Sequence, residues 1–146
     1  MRIKPFQGLV PHSSKTESVA SVPYDVVNTE EARKLASGNS ESLLNVSRAE
    51  INFDDGYNAY SDNVYEKAKD NFNKLIESNV LVREEEPCVY IYRQIMNGHV
   101  QTGLVAVSHV DDYNENIIRK HEKTRPVKED DRTKLASTLR AHLGPV

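Results

Sequence analysis

Between Cys88 and Val110 two alternating stretches, CVYIYRQIM and HVQTGLVAVSHV, are separated only by Asn97-Gly98. That dipeptide is the strongest short hairpin signal, because a type I′ turn needs positive φ at both central positions. Alternation puts Val89, Ile91, Arg93 and Ile95 on one side of the first strand and Cys88, Tyr90, Tyr92, Gln94 and Met96 on the other. A two-residue turn brings Thr102 and Gln101 across from the neighbourhood of Arg93. Gly103 is a candidate bulge. Arg93 interrupts an apolar face, and a buried arginine must find a partner. It is either a structural salt-bridge residue or an anion ligand.

The helical pattern is strongest over 57–79, where Tyr60, Val64, Ala68, Phe72, Leu75 and Ile76 recur at three- and four-residue spacing. Tyr57, Tyr60 and Tyr65 read as core and boundary packing. A shorter helix spans 28–37: Asn28 caps it, Glu31 completes a capping box, and Gly38-Asn39 stops it. Leu43 to Val46 reads as a short buried strand, and 2–11 as an edge strand broken by Pro5, Gly8 and Pro11. A last helix is expected over 128–142, with Leu135, Leu139 and Leu143 as its buried stripe and Gly144 at its cap. These elements define an α+β fold: a mainly antiparallel sheet centred on the 88–110 hairpin, packed by the 57–79 helix, in a single domain over 1–146.

The chain of 146 residues can bury a real core. Its net charge of −3 argues against broad nucleic-acid binding. The single cysteine, Cys88, has no intramolecular disulfide partner and is expected to be buried and inert. No stretch is long enough to span a bilayer and the start has no signal-peptide core, so the default expectation is a cytoplasmic protein. The histidines at 99 and 109 carry no metal-ligand spacing.

Chemistry is expected in the run IRKHEKTRPVKEDDR, residues 118–132. Arg119, Lys120 and Arg125 suit an anion, with Thr124 beside them. His121 or Glu122 can move a proton. By charge alone the commoner account is a solvated loop leading into a charged helix. Tyr24 and Asp25, at a bend between Val22-Pro23 and Val26-Val27, offer a phenol and an acid at a site edge; the alternative is an ordinary turn. The candidate site therefore has His121, Glu122 and Asp25 in catalytic roles and Tyr24, Arg93, Arg119, Lys120, Thr124 and Arg125 as phosphate or substrate ligands.

Several segments carry a resemblance in the same order: PF-x-G-L-x-P at 5–11, VPYDVV at 22–27, TGLV at 102–105, VDDY at 110–113, KHEKTRPVKEDDR at 120–132 and LGPV at 143–146. Together they resemble the bacterial and archaeal family catalogued as domain of unknown function 1015, across essentially the whole chain. Members are often labelled relatives of the ParB partition proteins, a fold that also includes sulfiredoxin and a free-serine kinase. That link rests largely on a later G-H-H-R-type motif absent here, so the chain resembles the amino-terminal part of a longer family member.

The resemblance implies a phosphate-handling protein and, more narrowly, a small-molecule kinase, with a nucleotide and magnesium as the implied cofactors and Asp25 as base or magnesium ligand. The alternative it implies is a non-catalytic ParB-like module for DNA or a protein partner. The residues themselves supply no P-loop and no GxGxxG, the glycines being isolated, and the 128–142 helix opens with three acids, unlike a basic recognition helix.

Overall fold

The computed structural model describes residues 1–119 and 124–144. In chain order the elements are β1 (Ile3–Lys4), β2 (Leu9–Pro11), α1 (Thr16–Val19), α2 (Thr29–Ala36), α3 (Leu44–Ser47), α4 (Asp62–Glu77), β3 (Leu81–Arg83), β4 (Tyr90–Met96), β5 (His99–Val105), β6 (Val107–Ser108), α5 (Val110–Asn114) and α6 (Pro126–Leu139). Helices and small antiparallel sheets together make an α+β protein. The strands do not merge into one sheet around the hairpin. Among the described residues they form three two-stranded sheets, β1 with β6, β2 with β3 and β4 with β5.

The residues group into two compact units. One takes Met1–Val10 and the described part of Arg83–Thr124; the other takes Pro11–Val82 and Arg125–Gly144. In the first, β4 and β5 pair in the expected register, with Arg93 opposite Thr102 and Gln94 opposite Gln101. Asn97 and Gly98 have φ of 50° and 77°, as a type I′ turn requires. Gly103 sits opposite Tyr92 within a continuous register, so it is not a bulge. Arg93 is exposed rather than buried, and its need for a partner goes with its burial. Cys88 is half-buried, its thiol 3.3 Å from the Glu86 carbonyl.

Tyr90 leans on Phe6, with ring centroids 5.1 Å apart, and its hydroxyl accepts from the Gly8 N–H at 2.9 Å. After β6 the chain turns through the short helix α5. Its Asp112 is buried beneath Arg2, accepting from that residue's backbone N–H and, at 2.9 and 2.7 Å, from its Nε and Nη2.

The second unit is helical and holds every buried hydrophobic side chain among the described residues. Asn28 Oδ1 accepts from the Glu31 N–H at 2.9 Å and Glu31 returns a carboxylate to the Asn28 N–H, which closes the capping box of α2. Gly38 stops that helix at φ 72°. In α4 the stripe Val64, Ala68, Phe72 and Leu75 is buried together with Tyr65, whereas Tyr60 lies before the helix and is exposed. This helix packs against α3, α6 and the 3₁₀ turn Ala49–Asn52.

Leu44 and Val46 are buried as expected, but in a helix and not a strand. The run from Leu43 to Ile51 is apolar on several sides, so periodicity cannot separate the two states. The last helix also starts earlier and ends earlier than its stripe suggested. Pro126 occupies its first turn, where the missing N–H costs nothing, and Arg140 closes it at φ 54°. Leu143 and Gly144 lie beyond it.

Candidate functional site

The second unit contains a cleft of about 220 Å³. Its walls come from Tyr24, from Val46 to Glu50, from Val64, Tyr65 and Ala68 of α4, and from Lys128, Asp131, Arg132 and Leu135 of α6. The α6 residues recur at three- and four-residue spacing, which places them on one helix face. Arg48 stands where α3 passes into the 3₁₀ turn, at φ −132° and ψ 49°.

Two linked charge clusters line this cleft. Arg48 donates from Nη1 to the Tyr24 carbonyl and from Nη2 to Thr29 Oγ1, both at 3.1 Å. Its Nε lies 2.8 Å from Glu50 Oε1, an ion pair without the alignment of a hydrogen bond. Thr29 Oγ1 donates onward to Glu50 at 3.4 Å. In the other cluster, Asp131 Oδ1 accepts from the Tyr65 hydroxyl at 2.8 Å. Its Oδ2 takes Nε and Nη2 of Arg132 at 3.0 and 2.6 Å, and Arg132 Nη1 reaches the Ser47 carbonyl at 3.3 Å.

Tyr24 joins the clusters. Its carbonyl holds Arg48, while the Arg132 guanidinium lies 4.1 Å and the Lys128 ammonium 5.9 Å from its ring centroid. Burial, followed by the neighbouring Asp131 carboxylate, pushes the Tyr65 hydroxyl far above the ordinary phenol range. Tyr65 is therefore a fixed donor and not a base.

The charges of the lining side chains do not cancel. Arg48, Lys128 and Arg132 stand against Glu50 and Asp131, leaving one positive charge. Both arginines are paired with carboxylates, so the surplus sits on half-buried Lys128. Among the described residues no three His, Cys, Asp or Glu side chains are grouped to hold a metal ion.

Of the candidate residues, Tyr24 lines the cleft. Its neighbour Asp25 is exposed in the turn and does not line it. Arg125 is exposed at the N-cap of α6. Arg93, Arg119 and Thr124 are exposed residues of the first unit. His121, Glu122 and Lys120 lie outside the described residues. Sequence reasoning missed Thr29, Arg48, Glu50, Tyr65 and Asp131 as members of one constellation. The available signal was Arg48 and Glu50 set among Val46, Ala49 and Ile51, where burial obliges charges to pair.

The fold and cleft thus describe an α+β protein whose helical unit carries a charged recess. The chain matches the model of a family described as protein of unknown function (DUF1015) over residues 3–146, and it belongs to that family. No curated protein and no solved structure matches it. No helix among the described residues is long and apolar enough to cross a membrane.

Proposed function

We propose that the helical unit binds the phosphate group of a small phosphorylated molecule or nucleotide in the Tyr24–Lys128–Arg132 cleft. The observation that carries this is the surplus cation. Lys128 is half-buried beside an aromatic ring and has no carboxylate partner among the described residues, so a bound anion would neutralise it. Arg132 and Arg48, held by carboxylates and backbone carbonyls, fix the walls of the recess around it without needing to move. A volume of about 220 Å³ suits a phosphate with a small attached group; the rest of a nucleotide would extend into solvent. Binding is the part of the reading that the geometry supports, and a transfer step would add a nucleotide with magnesium to it.

The test is a thermal melt with pyrophosphate, ADP and ATP, each with and without magnesium, on the wild type and on Lys128→Gln. A ligand that binds only the native state stabilises it by mass action, about 2.7 kcal/mol at a hundredfold excess over Kd. The expected result is a raised Tm with at least one phosphate ligand, lost in a variant whose own Tm is unchanged. No rise with any ligand, or an equal rise in the variant, contradicts the proposal.

A further inference from the structure

The β4–β5 hairpin presents an apolar face with a charge at its centre. Residues directly opposite in an antiparallel pair share a face, so Ile91 with Leu104, Arg93 with Thr102 and Ile95 with Val100 form three successive rows on one side. All six are exposed, Ile91, Ile95 and Leu104 at 75%, 68% and 67%. On the other side, Tyr90 already packs on Phe6 and bonds Gly8. The unit containing the hairpin has no buried hydrophobic side chain among its described residues. A two-stranded hairpin is marginal in water, and a contiguous exposed apolar face marks an interaction surface.

We propose that this face docks a partner polypeptide segment whose apolar side chains surround one carboxylate, which pairs with Arg93. The charge pattern selects that occupant. Closing an apolar partner over Arg93 removes the guanidinium from water, and an unpaired buried charge is costly. Arg93 has no carboxylate partner among the described residues, so the partner must supply one. A second copy apposed through the same face brings another Arg93 and no acid, since the six residues include none. It would bury two cations together. A segment carrying one Asp or Glu among apolar residues satisfies both requirements, and the charge sets its register on the rows.

The experiment is selection of a displayed library of random 16-residue peptides on the immobilised chain, alongside the variants Arg93→Glu and Ile95→Lys. Both substituted positions are exposed, and each variant is checked for an unchanged Tm. The expected result is enrichment of apolar peptides bearing a central Asp or Glu. Their affinity should fall tenfold or more on Ile95→Lys, and selection on Arg93→Glu should return Lys or Arg at the central position. Enriched peptides without an acid, peptides indifferent to Ile95→Lys, or no enrichment at all would overturn the proposal. So would sedimentation showing a dimer of the wild type that Ile95→Lys dissolves, because the face would then belong to a second copy.

Discussion

The Tyr65 hydroxyl donates to Asp131 Oδ1 at 2.8 Å, tying α4 to α6 at the wall of the charged cleft. The same carboxylate holds Arg132, which in turn lies against the Tyr24 ring. One buried phenol therefore sets the position of an acid, a guanidinium and an aromatic ring, on elements separated by more than a hundred residues in sequence. This chain of contacts holds that wall of the recess in place, since the Tyr65 hydroxyl, the Asp131 carboxylate and the Arg132 guanidinium each have a polar partner.

Replacing Tyr65 by Phe keeps the ring in the core and removes one bond to an ionised acceptor. The expected loss is about 1–3 kcal/mol of unfolding free energy, within the range for a hydrogen bond to a charged group left short of a partner. Urea denaturation measures it. A variant as stable as the wild type would mean that Arg132 alone satisfies Asp131.

Gly8 carries a second, geometric prediction. A Cβ there would stand 2.6 Å from the Tyr90 hydroxyl oxygen and 3.0 Å from its Cζ, so Gly8→Ala must push the Tyr90 ring and break the Gly8 N–H bond to it. The ring end can swing, which keeps the cost near that of the lost hydrogen bond, about 1 kcal/mol. In a Tyr90→Phe background the oxygen is gone and the cost of Gly8→Ala should shrink. A double-mutant cycle on the two positions reads the coupling directly; additive effects would refute the contact.

Asp112 makes the first unit sensitive to acid. The backbone N–H of Arg2, followed by its guanidinium, holds the Asp112 carboxyl below the ordinary aspartate range. In the unfolded chain the same group titrates near pH 3.9. A depressed native value stabilises the fold at pH values above that point, and the contribution is lost as pH falls through it towards the native pKa. Melts of the wild type and of Asp112→Asn should differ most near pH 6 and converge as the pH falls below about 3.9. A difference that does not change with pH would show that the carboxylate's charge is immaterial.

Local signals were legible where one short-range requirement decides the structure. Asn97-Gly98 demanded positive φ and obtained it, Asn28 and Glu31 closed their capping box, and the spacing of Val64, Ala68, Phe72 and Leu75 located α4. Legibility failed where burial is all-round or pairing is long-range. Leu44 and Val46 are buried, yet no alternation distinguishes strand from helix there. An exposed hairpin and a buried one share the same alternating pattern, so the exposure of Arg93 could not be read from it. The site suffered most, because Arg48 and Glu50 meet Tyr24 and Thr29 only after three helices pack. The charged run at 118–132 did contain Lys128, Asp131 and Arg132, but its emphasis fell on residues before Pro126, whereas those lining the cleft follow it.

Phosphate binding in the Tyr24–Lys128–Arg132 cleft is tested by locating where the ligand sits. Amide chemical-shift mapping of the isotopically labelled chain, titrated with pyrophosphate at low ionic strength, gives that location. Saturable shifts are expected at Tyr24, Ser47 to Glu50 and Lys128 to Arg132, together with their loss in Lys128→Gln. Shifts confined to Arg119, Thr124 or Arg93, or none at millimolar ligand, would contradict it.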